Sequence, residues 1–342
     1  MDIVTIYDIA KAAHVSPATV SKALNSRHDV SDAMREHVHQ IASEMGYRPN
    51  AQARSLKLKQ SYLIGVVYEE DGQWVSLDHP LFLPVLNAFK RRMESNGYEI
   101  MFLSQSSMFK GGGLSSHIFS RQLDGLLLLD FSPGDLPALL EVAQKIPIVA
   151  CDSVVPSLAS IVTDNVLAAS QAVVYLHSLG HVRIAHIAGP AKGVSPAGAE
   201  RLQGYKQGLE LCGLPYDDTL VAQAEDWSPQ AGKTSFERLL LKHKGKDFSG
   251  IFAAADFYIM GILQTCAQLG VSIPNDLSIV GFDDAQWTGF VQPGFTTFKQ
   301  DKELLGDTSA RILLDLLEGK GSVGLIRIPA ELVIRGSCIH KK

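Results

Sequence analysis

The stretch TIYDIAKAAHVSPATVSKALN, residues 5–25, decides how the N-terminal part of this chain folds. Thr5 and Asp8 form a capping-box pattern, in which a hydroxyl at the N-cap is followed three residues later by a carboxylate, and this starts a helix. Ser16 and Pro17 mark a second helix start, because serine caps free N–H groups and proline at the first helical position loses no hydrogen bond. Two short helices joined by a short turn predict a helix-turn-helix.

A third helix, from Ser31 to Gly46, completes a small all-α module. The second helix of such a motif can lie in the major groove of DNA. Its outward positions near the start are Pro17, Ala18, Ser21 and Lys22. A bundle that serves only packing or protein contact is the alternative, but packing does not require these polar residues at a helix start. The pattern therefore favours DNA binding.

The charge of the 342-residue chain is unevenly divided. Residues 1–60 carry 8 Lys and Arg against 6 Asp and Glu, whereas the remainder carries 23 against 30. The net charge of the whole chain is −5. A mildly basic module on an acidic body suits a headpiece that touches phosphate while the body stays clear of it.

Composition excludes several other classes of protein. No run of 18 apolar residues exists, and the N-terminus lacks the pattern of a secretory signal, so we expect a cytoplasmic protein with no membrane span. The four cysteines lie far apart and match no metal spacing. No convincing catalytic grouping is present. We therefore expect no metal, no cofactor and no enzyme activity.

The body, from residue 61 onward, alternates apolar segments with amphipathic helices. This rhythm predicts parallel sheets covered by helices on both faces. Too many units occur for one compact sheet, so we expect two lobes, with crossovers after Asp164 and near Gln292–Phe298. The seven predicted strands are LIGVVY (63–68), YEIMFLS (98–104), GLLLLD (125–130), PIVACD (147–152), RIAHIAG (183–189), GIFAAAD (250–256) and SIVGFDD (278–284).

Polar residues follow these apolar strands, at the edge where parallel sheets bind ligands. They are Tyr68, Glu69, Asp130, Asp152, Asp256, Asp283 and Asp284. Carboxylates that accept from vicinal hydroxyls, with the Trp227 ring over the C–H side, would hold a sugar. The alternative is helix capping, which we favour for Asp164 and leave open for Asp130 and Asp284. For Asp152 and Asp283 we favour the site.

Residues 5–25, together with VSDAMREHVHQIASEMGYRPNAQARSLK, resemble the headpiece of the lactose-repressor family. The resemblance implies that Pro17, Ala18 and Lys22 reach base edges. It also implies that residues 50–58, which include Asn50 and Ala53, form a hinge helix whose Leu56 wedges into the minor groove. Lys22 stands where arginine is more usual, which leaves the preferred base open. Phosphate or groove-wall contacts are implied for Thr5, Ser16, Ser21, Asn25 and Ser31.

The body resembles the sensor domain of the same family, which is similar to periplasmic sugar-binding proteins. The shared motifs include LDGLLLL, HSLGHVRIAHIAGP, RLQGY, DWSPQAG, IPNDLSIVGFDD and PGFTTFKQDKELLG. The resemblance implies effector contacts from Tyr68, Glu69, Asp152, Arg201, Trp227, Asp256, Asp283 and Gln300. Ala255 replaces a residue that is often polar. Lys302 replaces an aromatic residue of some members, and it either points inward toward an anionic effector or is a solvated helix-start lysine.

The fold class expected is thus α/β, with a helix-turn-helix headpiece and a two-lobed domain. We expect a headpiece at 1–49, a hinge helix and linker at 50–60, and an effector domain at 61–342. The N-lobe is predicted at about 61–163 and 292–324, and the C-lobe at about 164–291 and 325–342.

The function expected is a repressor of carbohydrate-utilisation genes. A homodimer would bind a near-palindromic operator in double-stranded DNA, with a sugar or sugar derivative as effector. Whether that effector is an inducer or a corepressor stays open. A purine, a nucleoside or a phosphorylated carrier protein is the alternative effector. A solute-binding or sugar-processing protein is the rival from another class.

Overall fold

The computed structural model describes residues 4–24, 29–47, 60–68, 80–103, 113–191, 195–243 and 247–341. The chain forms two compact units, Met1–Ser61 and Tyr62–Lys342.

The first unit contains three helices, α1 (Ile6–Ala12), α2 (Pro17–Leu24) and α3 (Asp32–Glu44). Ile9, Val20 and Val38 are fully buried at its centre. The capping box is confirmed, because the backbone N–H of Thr5 donates to Asp8 Oδ2 over 2.8 Å. The predicted serine caps are also confirmed. Ser16 Oγ accepts from the N–H of Thr19 at 3.1 Å, and Ser31 caps α3.

The first lobe of the second unit is a six-stranded sheet in the order β11-β5-β4-β3-β1-β2, and every neighbouring pair is parallel. Helices α4 (Phe82–Ser95) and α11 (Lys302–Leu317) cover one face. Helices α5 (Leu114–Ser120) and α6 (Leu136–Ala143) cover the other. Its strands are β1 (Leu63–Val67), β2 (Glu99–Leu103), β3 (Gly125–Leu128), β4 (Ile148–Cys151), β5 (Ala159–Thr163) and β11 (Leu325–Ile328).

The second lobe is a six-stranded sheet in the order β12-β10-β9-β8-β6-β7, in which β12 alone runs antiparallel. Helices α7 (Asn165–Ser178) and α8 (Ala197–Leu211) cover one face, and α9 (Pro229–Lys242) and α10 (Asp256–Leu269) the other. Its strands are β6 (Ile184–Ala188), β7 (Val221–Gln223), β8 (Gly250–Ala253), β9 (Ser278–Phe282), β10 (Thr296–Gln300) and β12 (Ala330–Val333).

Burial on both faces explains the near-continuous apolar strands. Strands β6, β8 and β9 are buried along their whole length. Glycine allows the covering helices to approach closely: a Cβ on Gly204 of α8 would lie 2.3 Å from the carbonyl oxygen of Val166 on α7.

The chain crosses between the lobes three times. The first two crossovers have nearly the same backbone: β5 leads through Asp164 (φ −73°, ψ 75°) into α7, and β10 leads through Asp301 (φ −77°, ψ 79°) into α11. Each aspartate caps the helix that follows, which confirms the capping role predicted for Asp164. The third crossover passes from β11 to β12 with Pro329 between them.

Two lobe boundaries predicted from the sequence are wrong. Residues 325–328 were assigned to the C-lobe, but they form β11, in which Ile326 pairs with Ile161 of the first sheet. The return was placed at 292, but β10 still belongs to the second sheet, where Phe298 pairs with Phe282. The chain re-enters the first lobe only after Gln300, because these strands are joined by long-range pairing that local sequence does not show.

All seven predicted strands are present, and the described residues contain five more that the seven did not include; two of these lie in the segment LIRIPAELVIRGS, which is strand-like in sequence. Strands β5, β10, β11 and β12 lie at or next to the crossovers, where polar residues interrupt the apolar pattern. Strand β7 has only three residues.

Candidate functional site

Helix α8 and the ends of β9 and β10 in the second lobe bring Arg201, Asp283 and Gln300 together in the interior. Gln300 Nε2 donates to Asp283 Oδ1 over 2.6 Å, and Arg201 Nη1 lies 4.0 Å from the same oxygen. From the first lobe, Thr163 Oγ1 donates to Gln300 Oε1 at 2.5 Å. The structure therefore groups three of the predicted effector residues beside the lobe junction.

Arg201 is held on several sides. Its Nε donates to Asn165 Oδ1 at 2.9 Å and its Nη1 donates to the carbonyl of Ala254 at 2.6 Å. Its Cζ lies 3.7 Å from the centre of the Phe282 ring and 5.5 Å from that of Trp227. Burial lowers the pKa of Arg201, while Asp283 and Asp152 raise it. A guanidinium remains protonated even so, and it supplies a fixed positive charge to the site.

Trp227 forms a supported aromatic platform. Its ring stacks on that of Tyr258 with the planes 8° apart and the centres 5.9 Å apart. Tyr258 is fully buried and donates its hydroxyl to the carbonyl of Asp226 at 2.8 Å. A Cβ on Gly189 would lie 2.2 Å from Trp227 Cη2, so only glycine lets the ring occupy this place. Such a face suits the C–H side of a sugar.

Asp152 is the first lobe's contribution to this region. It follows β4 with φ 61° and is buried, and Ser195 of the second lobe donates to its Oδ2 at 2.9 Å. Burial raises the pKa of Asp152 to about 6, while Arg201 and the Ser195 hydroxyl lower it. The carboxyl group therefore lies at the lobe junction, where burial favours its neutral form over the carboxylate.

Asp283 and Asp284 differ although they are neighbours. Both have left-handed backbones, with φ 116° and 48°, a strained conformation for residues other than glycine. Asp283 points its carboxylate at Gln300 and Arg201. Asp284 pairs with Arg335 Nη2 at 2.7 Å, and Arg335 also donates to the Phe295 carbonyl, so Asp284 braces a loop.

Asp256 is fully buried at the start of α10. Its oxygens accept from the N–H of Ala285 and from Thr297 Oγ1, each at 2.8 Å. A Cβ on Gly281 would lie 2.1 Å from Asp256 Oδ1. Burial and the nearby Asp283 raise the pKa of Asp256, while the hydrogen bonds from Ala285 and Thr297 and the charge of Lys302 lower it. Both carboxylate oxygens already bind protein, and effector contact by Asp256 stays a prediction.

The remaining predicted residues of the body are less central. Tyr68 is buried at the end of β1 and packs edge-on against Phe82, with ring centres 5.5 Å apart. Asp130 Oδ1 accepts from the N–H of Phe131 next to it. Glu69 lies outside the described residues.

Sequence reasoning missed four neutral residues of this region: Asn165, Ser195, Gly189 and Tyr258. The only local signal was their place directly after a strand or beside a motif, as Gly189 ends RIAHIAG and Asn165 follows VTD. Their roles depend on partners 36 and 43 positions away in the chain for Asn165 and Ser195.

In the first unit, most of the predicted DNA-contacting residues that the structure describes lie on or next to α2. Ser16 and Ala18 at its start and Lys22 in its last turn are exposed, and Pro17 and Ser21 are half-buried; Thr5 and Ser31, which precede α1 and α3, are also exposed. Lys22 Nζ lies 2.6 Å from Asp29 Oδ2. Asn25, Asn50, Ala53 and Leu56 lie outside the described residues.

Over the described ranges, no group of three His, Cys, Asp or Glu side chains is placed to hold a metal ion. Within the same ranges, no helix has the length and apolar character needed to cross a membrane.

A helix-turn-helix unit joined to a two-lobed parallel α/β domain, with polar groups at the strand ends, defines a DNA-binding regulator with a ligand-sensing domain. The chain belongs to the lacI family of bacterial regulatory proteins. Residues 5–50 match "Bacterial regulatory proteins, lacI family", and residues 173–338 match "Periplasmic binding protein-like domain".

Relatives of full length support this membership. The chain is 33% identical over 341 residues to the HTH-type transcriptional repressor CytR of Escherichia coli (strain K12), covering 97% of this chain and 96% of CytR. It is 32% identical over 321 residues to the HTH-type transcriptional regulator CelR of Thermobifida fusca, covering 92% of each.

Solved structures of the same fold support the same membership. The Lac repressor dimer bound to operator and the anti-inducer ONPF is 27% identical, with a TM-score of 0.84 over 99% of this chain and 100% of that one. A CelR–cellobiose complex is 28% identical, with a TM-score of 0.73 over 98% and 99%. The chain is therefore a DNA-binding transcriptional regulator and not an enzyme, and the predicted family and fold class are confirmed.

Proposed function

We propose that the chain represses carbohydrate-utilisation genes, and that a sugar or sugar derivative bound between its lobes controls its affinity for the operator. The observation that carries this is the grouping of Arg201 on α8 with Asp283 and Asp152, which follow strands of the two lobes, beside the Trp227 platform. Carboxylates accept from sugar hydroxyls, the guanidinium donates to ring or hydroxyl oxygens, and the indole covers C–H groups.

The charges favour a neutral effector. Asp152, Asp256 and Asp283 face one buried cation, Arg201, with Lys302 acting from the start of α11. A phosphate brought into this region would meet the carboxylates without a matching set of cations. The similar CelR, solved with cellobiose, is consistent with a neutral sugar as the effector.

A thermal-unfolding panel of the full chain tests this proposal. Neutral sugars, sugar phosphates, sugar acids and nucleosides are each added, and a true effector at about 100 times its Kd raises the free energy of unfolding by roughly 2.7 kcal/mol. We expect a neutral sugar to give this shift. R201M should remove the shift, whereas R183M, which alters a surface arginine paired with Asp217 and Asp247, should keep it.

Nucleosides belong in the panel because the same groups suit them. The Trp227 face stacks on a base as well as on a sugar, and a carboxylate binds the vicinal hydroxyls of ribose. A shift with nucleosides alone would replace the sugar in this proposal. A panel with no shift at all would favour a protein partner such as a phosphorylated carrier.

For DNA, we infer that a homodimer places two headpieces on a near-palindromic operator in the cytoplasm. The support is the similar Lac repressor, solved as a dimer on operator, and the accessible start of α2. Pro17, Ala18 and Lys22 would reach base edges, with Thr5, Ser16, Ser21, Asn25 and Ser31 near the backbone. Two-fold protein symmetry then requires two-fold symmetry in the DNA.

Selection of duplexes from a random-sequence library tests the DNA half. The wild-type chain should select a near-palindrome, and K22A should lose discrimination at one base pair of each half-site, worth about 1–3 kcal/mol. L56A should weaken binding to the selected duplex far more than to a scrambled one, because a wedge acts only at the operator centre. Equal losses on the two duplexes would contradict a wedge role for Leu56.

Binding of the effector and binding of the operator are coupled through the arrangement of the two lobes. The ligand can change operator affinity only by its differential affinity for the two lobe arrangements. An inducer and a corepressor use the same linkage with opposite sign, so adding the panel's best compound to the operator titration assigns the sign.

A further inference from the structure

A chain of hydrogen bonds leads from Arg201 through the amide of Asn165. Asn165 is the first residue of α7 and is fully buried. Its Oδ1 accepts from Arg201 Nε at 2.9 Å, and its Nδ2 donates to the carbonyl of Thr163 and to Glu200 Oε2, each at 3.1 Å. The oxygen faces a donor and the nitrogen faces two acceptors, so only one orientation of the amide satisfies all three bonds.

Glu200 carries the connection into the first lobe. It precedes Arg201 on α8, and consecutive helical side chains point about 100° apart, so the two reach different surroundings. Both Glu200 oxygens bind Arg327 of β11: Nη2 donates to Oε1 at 2.6 Å and Nη1 donates to Oε2 at 3.1 Å. This is a bidentate pair, the strongest arrangement for arginine and carboxylate.

The pair stands where the chain crosses between lobes. Arg327 is paired with Val162 in the first sheet, and only Pro329 separates its strand from β12 in the second. Thr163 and Asn165 flank Asp164 at another crossover. The Glu200–Arg327 pair therefore joins the lobes beside two of their three connections.

We propose that Asn165 and Glu200 are positioning residues that tie the direction of the Arg201 guanidinium to the Arg327 junction between the lobes. A rotation of the lobes that separates Arg327 from Glu200 releases the Glu200 carboxylate, removes one partner of Asn165 and loosens Arg201 from Asp283. The reverse also holds, because coupling between two equilibria is reciprocal. The proposal rests on the proposed function in one respect, the assignment of Arg201 as an effector ligand.

Arg201 keeps other contacts when this connection is lost. The Ala254 carbonyl still accepts from Nη1, and the Phe282 ring still lies under the guanidinium. We therefore expect a change in the direction and mobility of the side chain rather than its expulsion.

Trp227 provides the readout, because Arg201 Cζ lies 5.5 Å from its ring centre and a nearby cation alters indole emission. The chain has three tryptophans, and the full-length W74F/W287F variant leaves Trp227 as the single emitter. R201M in this background gives the signal of complete loss. Emission and acrylamide quenching are measured without DNA or ligand.

N165A should shift the Trp227 emission toward that of R201M, and R327A should shift it in the same direction by less. The effects should not add: R327A should change nothing once N165A is present, because the connection is already broken. D307A is the matched control, since it breaks the Arg92–Asp307 pair within the first lobe, and it should leave Trp227 unchanged.

The charge swap E200R/R327E separates the two halves of the connection. It restores an ion pair between the lobes but leaves Asn165 Nδ2 without its carboxylate acceptor. Small-angle scattering should show a wider radius of gyration for R327E alone and a return to the wild-type value in the swap, while Trp227 emission stays shifted.

Two results would overturn the proposal: R327A with unchanged Trp227 emission, or N165A and R327A effects that simply add. Either outcome leaves the ligand panel and the duplex selection untouched, because this test uses neither ligand nor DNA. Failure of the proposed function and failure of this inference are thus read in separate experiments.

Discussion

The two lobes of the sensor domain share one strand order and differ in what they place at the strand ends. Counted along the chain within each lobe, the first five strands of both sheets lie in the order 2-1-3-4-5. The sixth strand is parallel in the first lobe and antiparallel in the second. Both sheets bury their strands between two pairs of helices, so the architecture alone does not distinguish them.

The difference lies in chemistry. The second lobe supplies Arg201, Asp283, Gln300 and the Trp227 platform, whereas the first supplies Asp152 and the buried Tyr68. From this contrast we propose that the second lobe holds the ligand and that the first lobe closes on it. The shared topology places strand ends alike in both lobes, and the side chains at those ends are what differ.

The largest expected effect comes from R201M. Removing the cation leaves Asp283 and Asp152 buried with less compensation, which should lower the free energy of unfolding by about 3–5 kcal/mol. Urea denaturation measures this. D307N, which weakens a half-buried pair in the first lobe, should cost about 1 kcal/mol. Equal losses in the two variants would mean that the second-lobe cluster contributes no more to stability than the Arg92–Asp307 pair.

D152N should have the opposite sign. Burial raises the pKa of Asp152 from 3.8 to about 6, so folding favours its neutral, protonated form; this stability is fully present below pH 4 and is lost as the pH rises through 6 and the buried group ionises. At pH 7 the asparagine should stabilise the chain by up to about 3 kcal/mol. The gain should shrink toward zero as the pH approaches 4. A gain that does not vary with pH would contradict the burial of the charge.

G189A should displace Trp227 and cost about 1–3 kcal/mol, because a Cβ at 2.2 Å from the ring cannot be accommodated without movement. Near-ultraviolet circular dichroism should show the lost stacking on Tyr258. The control in the first lobe is G134A, whose Cβ would meet Ser132 Oγ at an ordinary 3.7 Å. A G189A variant with unchanged aromatic signal would show that the platform is not fixed.

The smallest expected effect is the loss of a helix cap, and it tests whether the two matching crossovers are equivalent. D164A and D301A remove caps with nearly the same backbone angles at the two matching crossovers, and each should cost about 1 kcal/mol. Thermal unfolding compares them directly. Losses that differ by several-fold would show that the crossovers are not equivalent despite their geometry.

Local sequence determined the elements that need no distant partner. The capping box of Thr5 and Asp8, the serine caps of α2 and α3, and the seven apolar strands follow from patterns within a few residues. The strand-end aspartates could also be picked out, because an acidic residue directly after a buried strand lies where parallel sheets open. Their effector contacts stay predictions.

Only the tertiary structure decided which of these aspartates acts where. Asp283 and Asp284 are neighbours in sequence, yet one joins Arg201 and the other braces Arg335, because their strained backbones point the side chains apart. Strand β11 belongs to the first sheet because it pairs with β5, whose partner residues lie 165 positions earlier in the chain (Leu325 with Ser160). Asn165 and Glu200 gained their roles in the same way, since a neutral amide and a helix carboxylate carry meaning only through the partners that the fold brings to them.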